Sequence, residues 1–300
     1  YKTTFERGVF ALNISIDDNS KINGLLVKPF AEEVNTENVI NNLSIKNSLT
    51  TKDQSEIIFE NTKVFPNNTQ LSIAIIKDGL VSYFGINKEN DTISTIDNQK
   101  SIFEIGSISK VFTSTLLANF VIDGKVKLND NINDYLKTPL NNSTEISFID
   151  LANHTSGLPR LPTNLDLTKV NPENPYKEYK EKELEDYVTN QLELSNKGEN
   201  QYSNLGAGLL GYTLSKIEND TYESLLQNKI FSKYDMQNST TDITTIKGNL
   251  VKGLNNEGIE VPNWDLAVLA GAGAIFSTVE DLSQFAISQF EYKNKELELT

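Results

Sequence analysis

The stretch Phe103-Glu104-Ile105-Gly106-Ser107-Ile108-Ser109-Lys110 sets a serine three residues ahead of a lysine, where a helix begins. Val111, Phe112, Leu116, Phe120 and Val121 then recur at spacings of three to four, and Asp123-Gly124 ends the run. The pattern predicts a helix over 107–123. Positions i and i+3 share a helix face, with Cβ atoms ~5–6 Å apart, so the lysine amine comes within reach of the serine hydroxyl. The helix N-terminus adds unpaired backbone N–H groups and a positive dipole end, which suit a developing oxyanion. Gly106 gives the backbone room for a tight entry.

A lysine ammonium ordinarily titrates near ~10.4, and each unit towards neutrality costs about 1.4 kcal/mol. Desolvation and the helix dipole supply part of that, and a polar partner would supply more. Tyr202-Ser203-Asn204 is the candidate partner, between the polar run 195–201 and the glycine-rich stretch Leu205-Gly206-Ala207-Gly208. A tyrosinate beside an ammonium could take the serine proton instead, so the base stays open between Lys110 and Tyr202. Asn204 can donate and accept, fixing the lysine and binding a substrate amide. Taken alone, S-x-x-K also describes an N-cap serine with an exposed lysine one turn later.

Composition narrows the chemistry. The 27 basic and 41 acidic residues give a net charge of −14, so a phosphate backbone is repelled and no nucleic-acid partner is expected. The absence of cysteine excludes disulfides, thiol nucleophiles, zinc ribbons and iron–sulfur clusters. His154 is the single histidine, which excludes multi-histidine metal sites, and no G-x-S-x-G elbow accompanies it. Neither a metal nor a cofactor is expected, and a nucleophile here needs a base other than the usual histidine. No run of eighteen apolar residues exists to span a bilayer. The chain opens at Tyr1 without an initiator Met, basic n-region or apolar h-region, as if a leader were removed or a longer protein cut.

Residues 8–30 read as a β-hairpin, with Phe10, Leu12, Ile14 and Ile16 alternating and Asp17-Asp18-Asn19-Ser20 as the turn. Residues 31–51 read as a linker with one short helix. From residue 52 a second unit begins. It has a helix over 53–64 offering Ile57, Ile58 and Val64 for burial, and a hairpin of Leu71–Ile76 and Leu80–Gly85 around Lys77-Asp78-Gly79. Further helices are expected near 148–153, 182–194, 205–218, 221–231 and 279–290, the last opened by Glu280 and Asp281. This divides the chain into 1–51 and 52–300.

The second unit resembles the class C β-lactamase and D-alanyl-D-alanine carboxypeptidase superfamily of serine hydrolases. Five ordered segments between about 70 and 290 carry the likeness. They are Phe103–Lys110 with Val111-Phe112-Thr113, Leu151-Ala152-Asn153-His154-Thr155-Ser156-Gly157-Leu158-Pro159, Tyr202–Gly211, Ile230–Met236 and Ala270–Thr278. The resemblance implies an α+β fold, an antiparallel sheet flanked by helices plus an all-helical subdomain. It also implies a Ser107 acyl-enzyme, Lys110 and Tyr202 as proton-transfer partners, and Asn204 in the same network. The substrate would be a small molecule or peptide with an acyl carbonyl, met by a protein exported from a bacterium; oligomeric state is left open. β-Lactam hydrolysis, D,D-peptidase, D-amino-acid amidase and esterase activities all fit, with selectivity set in the 160–200 loop and in a C-terminal strand expected to be missing from this chain. The alternatives are a penicillin-binding sensor that does not turn over, a degenerate non-catalytic homologue, and an inert helical scaffold.

Three departures qualify the likeness. The family's third motif, Lys-Thr-Gly or His-x-Gly on a strand lining the cleft, has no counterpart, and the expectation is a chain whose C-terminal strands are missing. Lys233-Tyr234-Asp235-Met236 stands where the family has a Pro-Leu-Gly-Met turn. The N-terminal hairpin resembles the tail of an NTF2-like domain cut short. The resemblance to the serine hydrolases implies that the His154 loop is a structural turn near the site, and Trp264, Tyr176 and Tyr179 read more readily as packing than as cleft residues.

Overall fold

The computed structural model describes residues 2–5, 8–16, 21–29, 36–44, 51–290 and 294–299. Strands β1 (Lys2–Phe5), β2 (Gly8–Ile16) and β3 (Ile22–Pro29) form an antiparallel sheet in that order. The β2–β3 pair is the expected hairpin, β1 is an additional strand, and the turn at 17–20 lies outside the described residues.

A second sheet is built from β4 (Ile40–Asn42), β5 (Gln70–Lys77), β6 (Leu80–Glu89) and β7 (Thr92–Ile96), in the order β4-β7-β6-β5. It is antiparallel except for β4, which runs parallel to β7. Asp78 and Gly79 both have positive φ, at +52° and +76°, the left-handed pair that a two-residue hairpin turn requires. β4 falls in the stretch expected to be linker and short helix. Its residues are exposed, and side-chain hydrogen bonds such as Asn42 to Ser94 help hold it, so it carries no apolar periodicity to read.

Helix α1 (Lys52–Thr62) starts at a capping box between Thr51 and Gln54. At its other end the buried Lys88 amine donates to the carbonyls of Lys63 and Phe65, both at 2.8 Å. Ile58 packs on a small core of Phe84, Ile86 and Ile93, whereas Ile57 and Val64, expected to be buried, are exposed.

The helices that follow share one large core. Strand β8 (Phe103–Glu104) leads through a 3₁₀ turn, Gly106–Ile108, into α2 (Ser109–Ile122). Then come α3 (Phe148–Ala152), α4 (Glu181–Asp186), α5 (Asn204–Glu218) and α6 (Tyr222–Leu226). The short strands β9 (Gly253–Leu254), β10 (Glu260–Val261) and β11 (Phe276–Ser277) precede α7 (Val279–Ser288). α4 and α6 each continue as a wider π-type turn, to Gln191 and Phe231; the second fills its expected range and the first stops short of residue 194. β11 pairs with β8, tying the segment before α7 to the entry of α2. Phe112, Leu116 and Phe120 of α2 are fully buried, as their spacing predicts, but Val111 is exposed.

Glycine decides how closely α5 packs. A Cβ on Gly208 would stand 2.6 Å from Leu269 Cδ2 and 3.0 Å from its Cα. One on Gly271 would stand 2.6 Å from the Ala207 carbonyl oxygen. The 3₁₀ segment Ala267–Ala272 therefore lies directly on α5.

Candidate active site

Gly106 has φ +51°, a left-handed conformation that glycine enters without strain, and it turns the chain into the helix start. Ser107 is exposed on that first turn, and the half-buried Lys110 follows one turn later. Lys110 Nζ lies 3.0 Å from Ser107 Oγ, 3.0 Å from Asn204 Oδ1 and 2.6 Å from the Ala272 carbonyl oxygen. Tyr202 Oη donates to Ser107 Oγ from the other side at 2.5 Å. The four residues read from the sequence thus meet at one point, from the 3₁₀ turn before α2, from α2, from the loop before α5 and from the first residue of α5.

Three acceptors answer the three donors of an ammonium. A neutral amine would donate to Asn204 and Ala272 and turn its lone pair to Ser107. Burial holds the Lys110 amine below its ordinary pKa and Arg160 adds to that, against the opposing pull of Tyr202. Burial alone would raise the Tyr202 phenol, but the contacts with Lys110 and Ser107 and the charges of Lys110 and Arg160 outweigh it and bring it below its ordinary value. Both candidate bases are therefore displaced towards working pH.

The surrounding chain fixes these groups. Ser203 caps α5 through the Gly206 N–H at 2.8 Å and donates to the Pro159 carbonyl at 2.6 Å. The Asn204 N–H donates to the Arg160 carbonyl at 3.0 Å. His154 sits at φ +59° and accepts the Ser203 N–H on Nδ1 at 3.2 Å, with its ring 4.8 Å from that of Tyr202. Burial first, and the Lys110 charge second, lower its pKa and favour the neutral ring that this acceptor role needs. Tyr176 and Tyr179 are buried, while Trp264 is 44% exposed with its ring 5.5 Å from that of Tyr176. Tyr176 Oη lies 3.5 Å from Asn204 Nδ2, so Tyr176 also borders the site.

The sequence reading missed two contributors. The Ala272 carbonyl is delivered by the main chain, supported by Thr113 Oγ1 donating to the Gly271 carbonyl at 2.7 Å. Arg160 places its guanidinium carbon 5.2 Å from the centroid of the Tyr202 ring. The quoted segments contained Ala272 and Thr113, but residue type does not announce a carbonyl ligand.

The α+β domain thus joins a Ser-x-x-Lys pair at a helix entry to a Tyr-x-Asn loop at the start of α5. A family model described as Beta-lactamase matches residues 69–299, and the chain belongs to that family. It is 30% identical over 244 residues to Beta-lactamase-like protein 4 of Dictyostelium discoideum, covering 74% of this chain and 40% of that protein. It is 26% identical over 219 residues to a Beta-lactamase of Pseudomonas fluorescens, covering 72% and 58%. With the D-alanyl-D-alanine-carboxypeptidase/endopeptidase AmpH of Escherichia coli K12 it shares 28% identity over 189 residues, covering 62% and 48%. The chain thus spans between 40% and 58% of the length of these relatives. Among solved structures, the class C beta lactamase of Rhodobacter sphaeroides superposes with a TM-score of 0.64 at 21% identity, over 81% of this chain and 67% of that one. The fold is therefore shared even where the sequence has diverged.

Proposed function

We propose that this chain is an acyl-transferring serine hydrolase that cleaves an amide or ester through an acyl-enzyme on Ser107. The observation that carries the reading is the convergence of Lys110 Nζ at 3.0 Å and Tyr202 Oη at 2.5 Å on one exposed serine oxygen. Ser107 Oγ attacks the substrate carbonyl carbon, and its proton passes to the Lys110 amine or the Tyr202 phenolate. The resulting oxyanion faces N–H groups at the helix N-terminus. Collapse expels the leaving group, which takes up the proton, and water then releases the acyl group by the same steps. Asn204 holds Lys110 and presents its amide to the substrate. Relatives named as β-lactamases and as a D-alanyl-D-alanine carboxypeptidase support a small-molecule or peptide acyl substrate.

The test is intact mass over time after adding a fluorescent penicillin or a fluorophosphonate to the chain and to its Ser107→Ala variant. A Ser107-dependent adduct with penicillin is expected, and its lifetime separates a hydrolase from a sensor. Labelling by fluorophosphonate alone would redirect the reading to an esterase or amidase. Labelling by neither would overturn it. The exported setting belongs to the same proposal, and cell fractionation with an antibody to this chain checks it. Among the described residues no helix is long and apolar enough to cross a membrane.

A further inference from the structure

Arg160 is one of only two arginines among 27 basic residues, the other being Arg7. Arg160 is exposed, its guanidinium carbon stands 5.2 Å from the Tyr202 ring centroid, and Lys110 Nζ lies 4.7 Å from the same centroid. Its main chain is fixed, since the Arg160 carbonyl accepts the N–H groups of Asn204 and Leu205 at 3.0 and 3.2 Å. Among the described residues, neither Arg160 nor Lys110 has a carboxylate oxygen within 4.0 Å. The groups facing the Tyr202 ring are thus two cations and a histidine, Lys110 from α2 and Arg160 and His154 from the loop after α3. Ser107 and, through Asn204, Tyr176 also border the pair.

Building on the proposed acyl transfer, we propose that Arg160 is a positioning residue, whose guanidinium against Tyr202 favours loss of one proton from the Lys110–Tyr202 pair. The reasoning does not depend on which member is the base. With both protonated, the pair carries one positive charge. With one proton gone it carries none in total, whether as amine and phenol or as ammonium and phenolate. A fixed cation nearby disfavours the charged state over either neutral one. The directions of displacement at Lys110 and Tyr202 agree, since Arg160 acts to lower both. A guanidinium suits the task because it keeps its charge and its flat face stacks on a phenol ring. Lysine is the commoner cation of this chain, and its flexible ammonium has no planar group to lay against the ring.

The test uses Arg160→Met and Arg160→Lys in the full chain, with two readouts. The first is a pH titration of the Tyr202 signal in protein labelled with [ζ-¹³C]tyrosine, assigned through Tyr202→Phe. The second is the pH dependence of labelling by an uncharged fluorophosphonate, which has no anion for an arginine to bind. In Arg160→Met, both curves should move to higher pH, with labelling at neutral pH falling about three- to tenfold. Arg160→Lys should recover part of that loss. Unshifted curves in a folded Arg160→Met would overturn the proposal. So would a uniform loss at every pH, or an effect confined to the KM of anionic substrates, since those belong to substrate anchoring. If the parent chain is not labelled at any pH, the acyl-transfer reading fails, and the tyrosine titration alone still decides the role of Arg160.

Discussion

The chain closes on α2 in two places, by different means. At the site, the segment Ala267–Ala272 approaches through glycines and main-chain carbonyls, so that Gly271 and Ala272 present oxygens to Thr113 and Lys110. At the second closure, the segment Lys233–Met236 reaches α2 through ring contacts. Tyr234 packs on Phe285 at 5.3 Å, and Phe285 on Phe112 at 4.6 Å. Its outer side is tied by Lys233 and Tyr234, both donating to the buried carboxylate of Glu296. The first closure follows the family pattern and the second departs from it. At the proposed proton-transfer site the contact is made by main-chain carbonyls. Where only packing is at stake, an aromatic and charged tether can replace an apolar turn.

The comparison breaks most severely at Lys110. Lys110→Ala removes the amine that Ser107, Asn204 and Ala272 share, and acylation should fall by at least about a thousandfold. The fold should survive, because α2 is held by Phe112, Leu116 and Phe120. Circular dichroism together with time-resolved labelling separates the two effects, and near-normal acylation by a folded variant would remove Lys110 from the chemistry. Gly208→Ala comes next. Its new Cβ has nowhere to go without moving the Leu269 backbone, so overpacking of about 1–3 kcal/mol is expected. A shift of that segment displaces the Ala272 carbonyl as well, and acylation should fall about tenfold or more. Lost stability with undisturbed acylation would mean the closure is not what positions Lys110.

Much of this was open to reading in the sequence, and the reasons are local. Ser107 and Lys110 share a helix face, and Tyr202 and Asn204 flank a capping serine, so short spacing encodes their geometry. The helix of 107–123 came from its apolar period, and only its first turn, tightened to 3₁₀, differs. What stayed hidden lacks a side-chain signature. The Ala272 carbonyl is main chain, β4 is exposed, and β8 and β11 are two residues each. Arg160 carries no such signature either, since an isolated arginine after a proline has the pattern of ordinary surface. Its position shows only when the loop is seen stitched to α5.

The second closure should respond in stability and not in acylation. Hydrogen bonds from Lys233 and Tyr234 outweigh the effect of burial and hold Glu296 below the usual carboxylate range. The unfolded chain binds the proton more readily, so this stabilisation is complete above the ordinary glutamate value of ~4.3 and is lost as pH falls through the lower folded value. Glu296→Gln should therefore lower stability by about 1–2 kcal/mol at neutral pH. The gap to the parent should close in acid. Urea unfolding at several pH values measures it, and a gap that widens with acid would show that the tether is not a carboxylate effect.

The smallest effect is expected at Asp235, inside the turn that departs from the family pattern. Asp235 has φ +55°, the left-handed conformation for which the family's glycine is suited. Aspartate is among the few other residues that visit this region, and its carboxylate accepts from Gln237 Nε2 at 2.6 Å. Asp235 thus occupies a conformation that glycine would enter without strain. Asp235→Gly removes the Cβ strain, about 1 kcal/mol, and gives up both the exposed hydrogen bond and some unfolded-state entropy. The net change should lie within about 0.5 kcal/mol of zero, with acylation unaffected. A loss above about 2 kcal/mol would mean that the aspartate braces this closure itself. The two closures would then differ less than their contacts suggest, since both would depend on a group that cannot be exchanged.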